Sequence, residues 1–163
     1  ETFNFEKRRA GRTRRVVSLP VIAPGSVSIS DVLLFDPPPG EVTDLSRALP
    51  QALGSLTVPA GKKLGLYWEM YGLARADSAF PVSLTLRRVS RGSLRRLAES
   101  IGLAERSSPL TIAWRETEFN SLVAVRSVVL DLALIPRGRY VLRVEVKPAA
   151  GEPVGTSRAI EIR

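Results

Sequence analysis

Apolar side chains recur at every second position in segment after segment of this chain, and that period belongs to the half-buried extended strand. Leu64, Leu66, Trp68 and Met70 fall on one side of such a segment, with Lys63, Gly65, Tyr67, Glu69 and Tyr71 on the other. Phe80, Val82, Leu84 and Leu86 alternate with Pro81, Ser83, Thr85 and Arg87 in the next. Leu110, Ile112 and Trp114 repeat the pattern, and so do Tyr140, Leu142, Val144 and Val146. Val128, Leu130, Leu132 and Leu134 predict another strand, less clean because Val129 and Ile135 lie on its opposite face. Ile160 and Ile162 predict a last one. Residues 27–35 are strand-like but lose their period around Asp31, and residues 55–58 stop early at Pro59-Ala60-Gly61.

Strands with one apolar face must bury it, and without regular intervening helices the partner is a second sheet. The expectation is an all-β, immunoglobulin- or fibronectin-III-like antiparallel sandwich of about seven to nine strands. Pro136-Arg137-Gly138-Arg139-Tyr140 leads into a strand as a tyrosine corner does, the ring buried and the hydroxyl returned to nearby backbone. Trp68 reads as the core tryptophan of such folds, without a disulfide beneath it. Leu94, Leu97, Ala98 and Ile101 have the spacing of one helical face, with Ser93 as N-cap and Gly102 as stop, so one short helix is expected near 93–102. The Pro37-Pro38-Pro39-Gly40 run places a long loop before residue 54, with one helical turn near Leu45–Leu49.

Charge divides the chain in two. Lys7, Arg8, Arg9, Arg12, Arg14 and Arg15 crowd the start, and without them the net charge falls from +8 to +2. We expect a basic arm or linker over 1–24 and the sandwich over 25–163. Those six cations are candidate contacts for phosphates or anionic lipid, with only Phe3 and Phe5 nearby to stack on bases, so a solvated linker is the plainer reading. Arginine outnumbers lysine twenty to four, which fits a GC-rich coding bias. No apolar run is long enough for a transmembrane helix. The chain begins at Glu1, and we expect it to be an excised or processed piece of something longer.

Histidine and cysteine are both absent, which removes the commonest general base, the triad imidazole and the usual zinc ligands. No glycine-rich phosphate loop, nucleophile elbow or EF-hand spacing occurs, so we expect no catalysis and no cofactor or metal. Glu116 and Glu118, and the group Asp31, Asp36, Glu41 and Asp44, read as solvated surface charge. Asp31 interrupts an apolar strand and is expected to bond a turn backbone; Arg143, Glu145, Arg158, Glu161 and Arg163 are expected to form a charge lattice on the last hairpin. Tyr67, Glu69 and Tyr71 make a possible binding face for sugar or protein, the alternative being cross-strand neighbours under a loop or helix.

Three segments carry a family likeness: Ser28-Ile29-Ser30-Asp31-Val32-Leu33-Leu34, residues 64–73 from Leu64 to Leu73, and Arg137-Gly138-Arg139-Tyr140-Val141-Leu142-Arg143-Val144. Together they resemble the C-terminal β-sandwich of bacterial GWxTD-domain proteins. The Gly-Trp-x-Thr-Asp pentapeptide that names that family is absent, so the likeness is to the region that follows it. It implies an envelope, periplasmic or secreted setting and no reaction. The resulting expectation is a non-enzymatic accessory module contacting other domains of its own or a partner chain. Carbohydrate binding through the tyrosine face is the alternative, and nucleic-acid or anionic-surface association through the arm the third.

Overall fold

The computed structural model describes residues 2–4, 9–11, 26–73, 79–89, 109–116, 123–148 and 151–163. Two short strands, β1 (Thr2–Asn4) and β2 (Arg9–Gly11), pair antiparallel at the N-terminus. The helix expected at 93–102 lies outside the described residues, as do Lys7, Arg8, Arg12, Arg14 and Arg15. No helix among the described residues is long and apolar enough to cross a membrane.

The remaining strands form two facing sheets. The larger runs in the order β5 (Thr57–Val58), β11 (Val154–Ile162), β10 (Gly138–Val146), β7 (Phe80–Val89) and β8 (Leu110–Glu116). In the smaller, β6 (Lys63–Tyr71) is central, with β9 (Val123–Asp131) on one side and β3 (Ser28–Ile29) and β4 (Leu33–Phe35) on the other. Ile29 faces Met70 and Leu33 faces Tyr67, so three residues oppose two between them. β3 and β4 are therefore one edge strand with a bulge at residues 30–32, which is why the period breaks at Asp31.

The alternation places the core where it predicts. Leu64, Leu66, Trp68 and Met70 meet Val82, Leu84, Leu86, Tyr140, Leu142, Val144 and Ile160 in one buried cluster between the sheets. The tyrosine corner is present, with the Tyr140 hydroxyl donating to Pro136 O at 2.6 Å. Tyr140→Phe keeps the ring and loses only that bond, so it should lower unfolding free energy by about 1 kcal/mol in urea titration. An unmoved midpoint would show that the corner contributes nothing.

Three expectations need correction. Trp68 lies on β6, the strand that carries the first cysteine of the inter-sheet disulfide in immunoglobulin domains, whereas their tryptophan lies on the next strand. Leu142, two residues after the corner tyrosine, stands at the second cysteine position, so two buried apolar side chains fill the space of the bridge. The final hairpin is longer than its loop signals suggest: Val146 pairs with Val154, leaving Gly155 inside β11. Finally, β9 stops at Asp131, so Leu132 and Leu134 are not in it. Leu132 is buried, donating its N–H to Lys62 O, and Ile135 N–H donates to Leu132 O at 3.1 Å to close a turn. That turn leaves Leu134 at its tip, 93% exposed. The helical turn near 45–49 is a short helix, α1 (Leu45–Ala48), capped by Asp44 accepting from Arg47 N–H at 3.0 Å.

Candidate functional site

The outer face of β6 holds the tyrosine pair that the sequence singles out. Gly65 comes first in building it, because a Cβ there would lie 2.5 Å from the Phe35 ring. Its absence lets Phe35 cross β6 flat, and Val42 and Ala48 of the long loop close over Phe35 and Tyr67 as a second apolar cluster. Tyr67 is 3% exposed in consequence, while Tyr71 and Glu69 remain half-buried. Both hydroxyls donate to the one carboxylate, Tyr67 to Glu69 Oε1 at 2.6 Å and Tyr71 to Oε2. Burial first, then the bond to Glu69, pushes the Tyr67 phenol well above its ordinary value. At Tyr71 the bond to Glu69 leads, followed by burial, and the phenol rises to about 12. The structure thus brings the three side chains together as same-face neighbours along β6, with Tyr67 beneath the loop. A covered ring and engaged hydroxyls count against a flat platform for sugar stacking.

Glu116 is not solvated surface charge. It points inward from β8, is 7% exposed, and accepts from Arg126 Nε and Nη2 of β9, both at 2.6 Å. Trp114 Nε1 donates to the same carboxylate at 2.6 Å. Burial alone would raise the Glu116 pKa, but the Arg126 and Trp114 bonds and the Arg126 charge outweigh it and hold it below the ordinary value. The pair ties one sheet to the other where both have edge strands. Glu118 lies outside the described residues.

Asp31 ties the opposite edge. Its carboxylate accepts from Thr156 Oγ1 at 2.9 Å and Arg158 Nη2 at 3.3 Å, both on β11 of the other sheet. It bonds side chains rather than the turn backbone expected from sequence, because the bulge turns it outward over the edge. Arg158 therefore leaves the expected charge lattice; Arg143 pairs with Glu145, and Arg139 and Arg163 with Glu161. Asp44 is occupied as the helix cap, and no carboxylate group that could hold a metal ion forms among the described residues. Of the basic arm, only the Arg9 backbone in β2 is described.

No protein-family model and no curated protein matches the chain. Among solved structures, it is similar to an immunoglobulin-like protein from Pseudomonas aeruginosa at 13% identity and a TM-score of 0.45, covering 85% of this chain and 97% of that one. The two facing sheets and the tyrosine corner themselves make the fold an immunoglobulin-like β-sandwich. The soluble domain of PmoD from Methylocystis sp. is 13% identical with a TM-score of 0.42, over 83% of this chain and 90% of that one. The DNA-bound alkylpurine DNA glycosylase AlkC of Pseudomonas fluorescens gives 14% and 0.48 over 84% of this chain, which spans only 30% of the glycosylase. These likenesses are of fold alone.

Proposed function

We propose that this chain is a non-catalytic interaction domain of a larger, exported bacterial protein, related to the sandwich that follows the GWxTD segment. It works through contacts with other domains of its own or a partner chain. The exposed apolar start of β8 is the observation that carries this reading. Inward-facing Leu110 and Ile112, at the start of β8, remain 46% and 41% exposed. β8 pairs with β7 on one side, and its other edge has no strand against it among the described residues. A partner segment laid along that edge takes main-chain hydrogen bonds and covers both side chains. Glu116, Glu69 and Asp31 are all engaged in structural hydrogen bonds, which supports a role without acid–base chemistry. The exported setting draws its support from the family resemblance.

The test is an NMR titration of the labelled domain with the flanking domains of its parent protein. Shifts confined to β8, abolished by Ile112→Glu with the fold intact, are the expected result. Undisturbed β8 resonances, or equal binding by Ile112→Glu, would overturn the reading.

A further inference from the structure

Among the described residues, one end of the sandwich gathers exposed cations. At this end lie the β5–β6 corner, the β9–β10 corner, the last residues of β7 and the end of β11. Hydrogen bonds knit them together: Ala60 N–H to Arg163 O, Leu132 N–H to Lys62 O, and Arg88 Nη2 to Arg137 O at 3.0 Å. Lys62, Lys63, Arg88, Arg137, Arg139 and Arg163 are all exposed there. Among the described residues, the carboxylates that these corners and strand ends bring with them are Asp36, Asp131 and Glu161. Glu161 is shared between Arg139 and Arg163, and Asp131 accepts from Ala133 N–H at 2.8 Å.

Leu134 lies at the same end, on the β9–β10 corner. Its turn is pinned by the Ile135-to-Leu132, Leu132-to-Lys62 and Ala133-to-Asp131 bonds, so the side chain is held out on a rigid tip. We infer that this end of the sandwich docks on an anionic lipid surface, its cations against the headgroups and Leu134 inserted between them. The inference is independent of the β8 reading. An almost wholly exposed leucine at the same end as these cations suits the boundary between headgroup and acyl chain. A nucleic acid would instead find no exposed ring to stack on among the described residues of this end, where Phe35 and Tyr140 are both buried.

The experiment is co-sedimentation of the full chain with phosphatidylcholine vesicles, with and without phosphatidylglycerol. Binding should require phosphatidylglycerol and weaken with salt. Lys62→Glu with Arg137→Glu should lower partitioning by about tenfold or more, and Leu134→Ser by several-fold. A variant with the six arm cations replaced by glutamine should keep the dependence on Leu134. Three results would overturn the inference. One is no vesicle binding; another is binding indifferent to Leu134→Ser and to the corner charges, which would assign it to the arm. The third is equal retention on duplex DNA with the same charge dependence, which would reduce the surface to a general polyanion contact.

Discussion

Trp68→Ala should lower the free energy of unfolding by roughly 3–5 kcal/mol and the melting temperature by on the order of 10 °C. The side chain is fully buried in the middle of β6 and packs between the sheets, its ring 6.2 Å from that of Trp114 at 51°. It sits in the core cluster between the sheets, so its removal opens a cavity there. A stability of about 5–15 kcal/mol is ordinary for a domain, so the loss is a large share of the total. Trp68 Nε1 is buried without a hydrogen-bond partner, which separates two contributions to this effect. Trp68→Phe removes an unpaired donor along with the volume, and should cost well under half as much as the alanine variant. Urea denaturation of both variants is the measurement. Equal losses would mean that the indole nitrogen is satisfied in solution, and negligible losses would remove Trp68 from the core.

The second large effect concerns the tie between Glu116 and Arg126. Glu116→Ala leaves a guanidinium turned inward and the Trp114 N–H without its acceptor. The expected cost is about 2–3 kcal/mol, below that of a deeply buried pair because Arg126 retains 30% exposure. Replacing both partners, as Glu116→Leu with Arg126→Met, should recover most of that loss, since it leaves no stranded charge. If the double variant is as unstable as the single one, packing rather than charge holds the edge. Acid gives an independent check. The Glu116 pKa is lower folded than unfolded, so its contribution is complete above the ordinary carboxylate value of 4.5 and is lost as pH falls toward the folded value. Wild type should therefore lose stability through that window more steeply than the double variant does.

Much of the inner architecture was legible in the residue order, because the side-chain period of a strand is a local property. Leu64 to Met70 and Tyr140 to Val146 alternate strictly, and each inner set is buried. Tyr140 was recognisable from its place after Pro136 and Gly138, since a corner is made by residues close in sequence. The break at Asp31 was visible too, but not its meaning, because a bulge is defined by the register of the partner strand.

The outer surfaces followed a different logic. Alternation shows which way a side chain points, and it cannot show whether anything lies opposite. Leu110 and Ile112 face inward yet stay exposed. Tyr67 faces outward yet is buried because Gly65 lets Phe35 cross the strand and a loop closes over both. Glu116 met Arg126, and Asp31 met Thr156 and Arg158, across gaps between sheets that no local spacing encodes. Leu134 continued an apolar rhythm on paper, but pairing with β6 ended at Asp131 and left it on a turn. The sequence by itself determined that strands would form and which faces would be apolar, through the geometry of the extended backbone. Which of those faces found cover was decided only by tertiary structure, because cover depends on the width and offset of a sheet made from distant parts of the chain.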